Sequence, residues 1–233
     1  MGLINARGGS KRISRKNLMT LCDKPILHYA IKAGKESKLI DRVVISTEDD
    51  EIAEEGKKCG AEVPFKRPKK FAEDQTTQFP PTKHAVMELI KEGWTPDIVV
   101  LLMANGPFKN GDDVDKAINT LINSNADSVR SVCEVSTPPF WMHTIDKDNS
   151  LVPFVKNYDM ENKRTCISQN LPKIYQLTGI IDVLWTKNLF DTNSLFGKKI
   201  NAQIFSKIKS IDIDTPYDMM VAEFVMENFE KLS

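Results

Sequence analysis

A chain of 233 residues with 32 basic and 32 acidic side chains has no formal net charge at pH 7, and 41% of it is hydrophobic. A chain of this size buries roughly 70–75% of its unfolded surface, so it needs no disulfide or structural metal, and its composition excludes a disordered chain. Charge balance speaks against nucleic-acid binding, and the longest apolar run, Ile98 to Ala104, is far short of the roughly 20 residues that span a bilayer.

The start, MGLINARGGSKR, puts charge after a very short apolar stretch, the wrong order for a secretory leader. Cys22, Cys59, Cys133 and Cys166 are far apart and form no CxxC pair. They read as reduced thiols of a cytoplasmic protein, and with three scattered histidines no zinc site is expected.

Residues 2–5 form a brief strand, followed by a loop over 6–16. The spacing of Ile26, Leu27, Ala30, Ile31 and Ala33 predicts a helix from 25 to about 37. Residues 42–46 are a β-branched strand. A helix follows over 49–59, acidic in its first turn, basic in its last and stopped by Gly60; 61–65 is a short strand. A helix over 81–92 precedes 97–103, a strand apolar on both faces. A helix over 111–123 and a strand over 127–135 continue the alternation. These units predict one α/β domain over 1–233, with a mostly parallel twisted sheet and helices on both faces. Residues 138–175, with four prolines, break the pattern. They are expected to leave the sheet as a small β arm that rims the active site, makes a dimer contact, or both. A strand over 179–185 resumes the order, and the chain closes with a strand at 210–214 and a helix over 216–231.

Three constellations carry chemistry. The first, residues 6–17, holds Arg7, Lys11, Arg12, Arg15 and Lys16 and no acid. Gly8 and Gly9 let the backbone bend its N–H groups toward an anion, and the loop leaves the first strand where open α/β sheets bind ligands. A triphosphate fits; a solvated basic loop is the plain alternative. The pattern is neither GxGxxG nor GxxxxGK[ST]. The second is Ser-Ile-Asp-Ile-Asp-Thr-Pro-Tyr-Asp, 210–218. Alternation in an extended segment turns Asp212 and Asp214 to one side, about 6.6 Å apart at Cα, where they can share a divalent ion with phosphate oxygens. Thr215, Pro216 and Asp218 also make a good helix start, which Asp214 could merely assist. In the third, 64–74, Arg67 between Phe65 and Pro68 could address a nucleobase or a phosphate.

Together, ARGGSKRISRKNL, STEDDEIAE, GAEVPFKRP and SIDIDTPYD resemble the acylneuraminate cytidylyltransferases, in order from residue 3 to about 224. The resemblance implies a nucleotide-diphospho-sugar transferase-like fold, a homodimer formed through the arm, and CTP with Mg²⁺ (or Mn²⁺). It also implies attack by the anomeric hydroxyl of a 2-keto-3-deoxy sugar acid (sialic, legionaminic or pseudaminic acid-like) on the α-phosphate, releasing pyrophosphate. By motif, Arg7, Gly8, Gly9, Ser10, Lys11, Lys16 and Asn17 would hold the triphosphate, and Arg67 would contact the cytidine side. Asp212 and Asp214 would bind the metal, with Arg7, Lys16 and Asp212 catalytic and Asp212 taking the hydroxyl proton. The departures fall on the acceptor side. Met-Ala-Asn-Gly-Pro-Phe-Lys (103–109) replaces a Gln-Pro-Thr-Ser-Pro-Leu-Arg-like run, and Ser168-Gln169 replaces Arg-Gln. Lys109 keeps charge without the guanidinium fork. Asn105, Lys109, Arg164 and Gln169 are the expected acceptor residues, and an acceptor other than sialic acid is expected. The alternatives are GTP with a sugar phosphate, CTP with a phosphonate, or nucleotide binding without turnover.

Overall fold

The computed structural model describes residues 1–10, 12–156 and 167–232; Lys11 and Arg164 lie outside them. In chain order the main elements are β1 (Gly2–Asn5), β2 (Thr20–Leu21), β3 (Lys24–Pro25), α1 (Ile26–Glu36), β4 (Val43–Ser46) and α2 (Asp50–Lys58). They continue with α3 (Phe79–Lys91), β5 (Ile98–Leu102), α4 (Gly111–Ile122), β6 (Ser128–Glu134), β7 (His143–Ile145) and β8 (Leu151–Pro153). The last are β9 (Tyr175–Trp185), α5 (Asn188–Asp191), β10 (Ile200–Phe205), α6 (Pro216–Glu227) and the single turn α7 (Phe229–Leu232).

Local signals set these boundaries. Asp49 accepts the Ile52 N–H and starts α2, whose last turn carries Lys57 and Lys58. Asn110 and Asp113 cap α4 reciprocally. Helix α3 begins two residues earlier than its apolar spacing suggests, because prolines are tolerated in the first turn, where an N–H has no intrahelical partner.

Six strands form one sheet in the order β10-β6-β9-β5-β1-β4. β1 is parallel to β4 and β5, and β10 is parallel to β6. β9 runs antiparallel between β5 and β6. Alternation along the strands sends Leu3, Val44, Val99, Leu101 and Leu184 to the face covered by α3 and α5. Ile4, Ile45, Val100, Leu102 and Val183 turn to the face covered by α1, α2 and α4. Burial on both faces is what makes β5 apolar throughout. A third, smaller cluster of Ile13, Leu21, Ile26, Phe108, Ile213 and Met219 docks the basic loop, the acidic segment and α6 onto one another.

Four expectations change. The strand expected at 61–65 reduces to one bridge, Val44 to Glu62, because Pro64 has no N–H to extend a ladder. Residues 210–214 are an irregular segment, since the Ile213 N–H bonds the Asn105 carbonyl and no strand among the described residues lies alongside. β10 lies beyond the anticipated strands and adds a parallel edge. β9 begins four residues before 179 and is the one antiparallel strand in a sheet that is otherwise parallel, as expected. The excursion leaves β6 and returns to β9 at paired residues: the Val135 N–H donates to the Ile174 carbonyl at 3.0 Å, and Glu134 stands opposite Tyr175. Its described part includes the β7–β8 hairpin.

Candidate active site

The loop after β1 is held open by a carboxylate. Glu48, just past β4, accepts the Gly8 N–H at 2.8 Å and the Arg67 guanidinium at 2.5 Å. Arg67 also donates to the Ala6 carbonyl at 3.2 Å. A side chain at position 8 would strike Asp49, since a Cβ there would lie 2.3 Å from a carboxylate oxygen; this is where the Gly-Gly pair is required. Asp49 is clasped by Arg15, whose backbone is left-handed at φ 55°. Burial pushes the Asp49 pKa up, but Arg15 and the Ile52 N–H outweigh it and hold the carboxyl below its ordinary value. Buried Asn17 completes the loop by donating to the Arg7 carbonyl at 3.0 Å.

The remaining cations meet the acidic segment. Lys16 Nζ donates to Asp214 Oδ1 at 2.6 Å, and Arg12 reaches Asp214 Oδ2 at 3.1 Å. The Lys16 hydrogen bond is the main reason that the Asp214 pKa is lowered. Asp212, without such a partner, is pushed up to about 6, first by burial and then by the Asp214 charge. The segment is fixed at both ends. The Asn105 carbonyl accepts the Ile213 N–H at 2.9 Å, and Asp218, capping α6, accepts the N–H groups of Asp214 and Thr215. Two adjacent carboxylates that repel each other and are only half buried suit a small hard cation. Among the described residues no cluster of three or more metal-ligating side chains occurs. The pair therefore fits an ion that takes its other ligands from phosphate and water.

Most of these groups line a depression at the end of the sheet; Asp214 is part of its wall, and Asp212 lies behind it, outside the lining. A cleft of about 260 Å³ is bounded by Arg7, Ser10, Lys16, Asn17, Arg67 and Asn105 among others. A second hollow, of about 340 Å³, shares Arg7, Ser10 and Lys16 and reaches Arg12 and Asp214. Arg7 is tethered to Asp74 at 3.3 Å, and Gly9 is open to solvent. A third cavity, of about 450 Å³, adjoins across Thr77, Gln78 and Met103 and is walled by Leu101, Leu195 and Phe196. Arg130 enters it, paired with Asp182 at 3.2 Å and lying 4.0 Å over the Phe196 ring. Burial raises the Asp182 pKa, partly offset by Arg130.

Not every expected residue faces the cleft. Arg67 reaches the cleft wall but is buried, with Glu48 and Ala6 as partners, so it braces the loop more than it presents donors. Arg15 turns away to Asp49 and Glu51. Lys109 does not face an acceptor: it is 5% exposed, and its Nζ donates to the Met103 and Gly106 carbonyls, both at 2.6 Å. Gln169 lies exposed on a short turn and lines none of these cavities. Asn105 is the acceptor expectation that reaches the cleft. Arg130 and Asp182 lie in no motif, and Glu48 lies within STEDDEIAE without a role to be read from it, because only the fold brings their partners near.

The family model described as "Cytidylyltransferase" matches residues 1–228. The chain belongs to the cytidylyltransferase family. The cytidylyltransferase is 31% identical to CMP-N,N'-diacetyllegionaminic acid synthase of Legionella pneumophila, over 97% of this chain and 96% of that one. It is 28% identical to a pseudaminic acid cytidylyltransferase of Campylobacter jejuni, over 96% and 94%. It is 26% identical to the N-acylneuraminate cytidylyltransferase of Escherichia coli, over 95% of this chain but 51% of that protein. Among solved structures, CMP:2-keto-3-deoxy-manno-octonic acid synthetase complexed with CTP superposes with a TM-score of 0.72 at 13% identity, over 98% of both chains. That is a likeness of fold.

Proposed function

We propose that this cytidylyltransferase transfers CMP from CTP to a 2-keto-3-deoxy sugar acid of the legionaminic, pseudaminic or sialic kind. One contact carries the reading: Lys16 against Asp214 at 2.6 Å joins the glycine-bent cationic loop to the acidic segment. The named relatives, which make CMP-sugar acids, support it.

Arg7, Lys16 and Arg12 neutralise the triphosphate, Ser10 and the backbone around Gly9 offer donors, and Asn17 keeps the loop in shape. Asp212 and Asp214 would hold Mg²⁺ or Mn²⁺, which supplies charge neutralisation at the phosphates. The sugar's anomeric oxygen bonds to the α-phosphorus as the bond to the pyrophosphate oxygen breaks. Asp212, which among the described residues has no cationic hydrogen-bond partner of the kind Lys16 gives Asp214, would take up the hydroxyl proton. Positioning and charge stabilisation do the rest. The cavity beside Gln78 and Met103 has room for the sugar's body, with the Arg130–Asp182 pair offering donors and acceptors inside apolar walls.

The arm supports a homodimer. Ile145, Leu151 and Phe154 are 67%, 65% and 65% exposed, more apolar surface than a short hairpin leaves to water without a partner. No helix among the described residues is long and apolar enough to cross a membrane, and a cytoplasmic site fits the free thiols of Cys22, Cys59 and Cys133. Pyrophosphate release from CTP, GTP, ATP and UTP with a panel of 2-keto sugar acids, sugar phosphates and phosphonates tests the reading. CTP with a sugar acid is expected to react. CTP binding without turnover across the panel would point to a binding protein instead.

A further inference from the structure

Lys109 is buried where a charge is costly. Its exposure is 5%, and enclosure lowers its pKa to about 7, with Asp212 and Asp113 opposing the drop. A methionine would fill a similar volume without that desolvation cost. What the ammonium does in return is specific. It donates to the carbonyls of Met103 and Gly106, both at 2.6 Å, and so ties the two ends of the tight loop that follows β5. Asn105 is at the tip of that loop. Its carbonyl accepts the Ile213 N–H at 2.9 Å, and its side chain is close enough to Asp214 to help lower that carboxyl's pKa. An unbroken run of contacts therefore leads from Lys109 through the loop and Asn105 to the segment bearing the acidic pair.

We propose that Lys109 is a positioning residue for the transfer: by clamping the 103–106 loop it fixes Asn105, and through Asn105 the placement of Asp212 and Asp214 that sets the affinity for the divalent cation. The proposal rests on the reading that this pair holds the metal. Lys109 lines neither the cleft nor the cavities beside it, so its effect on CTP itself is expected to be small.

The test is Mn²⁺ binding to the full-length protein with CTP, followed by electron paramagnetic resonance of the free ion, alongside kcat and the KM for CTP at saturating metal. Lys109→Met is expected to weaken Mn²⁺ binding about tenfold, as loss of an outer-shell partner does, with the KM for CTP changed less than about twofold. Asn105→Ala is expected to weaken Mn²⁺ similarly, and the double variant to be no worse than either single one. Lys109→Gln, which keeps two N–H donors, is expected to stay within about threefold of the native affinity. Native Mn²⁺ affinity in folded Lys109→Met, a tenfold loss in Lys109→Gln, or additive losses in the double variant would each overturn the proposal. Absence of Mn²⁺ binding by the unaltered protein would instead defeat the metal reading of the pair, and the proposal with it.

Discussion

Replacing Asp212 by asparagine sets stability against activity. Holding this carboxyl at about 6 instead of its ordinary 3.8 costs the folded state about 3 kcal/mol once the group is ionised. The side chain is only half buried, so solvent screening reduces this to about 1–2 kcal/mol. The folded state holds this proton more tightly than the unfolded chain. The cost is therefore absent below about pH 3.8, grows between there and about pH 6, and is complete above it. Asparagine removes the charge and keeps the shape. Asp212→Asn is expected to melt about 2–8 °C higher than the unaltered protein at pH 7.5, with the gain shrinking steadily toward pH 4. Turnover should fall by about 10² or more, because the amide carries no charge to offer a cation and cannot take up the hydroxyl proton. Melting curves by circular dichroism at several pH values, run without nucleotide or metal, provide the assay. An unchanged or lower melting temperature at pH 7.5, or a gain that does not depend on pH, would refute the reasoning.

Asp214→Asn releases Lys16 and Arg12 from their shared carboxylate. Calorimetry is expected to give about three- to tenfold tighter binding of metal-free CTP together with a weaker response to Mg²⁺; weaker metal-free binding would mean these cations do not meet the phosphates. Glu48→Ala strands the buried Arg67 guanidinium, and urea unfolding should show a loss of about 3–5 kcal/mol, whereas a loss under about 1 kcal/mol would mean that Arg67 finds another partner. Phe154→Asp places a charge on the exposed arm. Sedimentation velocity is expected to shift from dimer to monomer with the melting temperature nearly unchanged, and an unaffected dimer would locate the interface elsewhere.

Where the physics is local, the sequence discloses the structure. The acids before Ile52 and the lysines at 57 and 58 mark α2 because capping and the helix dipole act within one turn. The buried strand at 98–102 announces itself by being apolar at every position. The direction of β9 is not local: nothing in Tyr175–Trp185 distinguishes a parallel from an antiparallel neighbour, and pairing with β5 and β6 decides it. The acidic segment is instructive in another way. It is not a strand, yet Ile213 is buried and Asp212 and Asp214 stay near the surface, because extended backbone alternates with or without a ladder. Lys109 and Arg67 mislead for a shared reason. A basic side chain in a motif suggests a hand held out to an anion. Whether it is spent indoors depends on residues such as Glu48, nineteen positions away from Arg67, or on carbonyls that only a folded loop brings together.

The hydrogen bond between Val135 and Ile174 gives the arm a particular standing. Its two ends meet, so to the rest of the molecule the whole stretch is a loop whose length has little energetic weight. Such a stretch behaves as a cassette. It can be lengthened, trimmed or exchanged with a relative's while the strands that flank it stay in register.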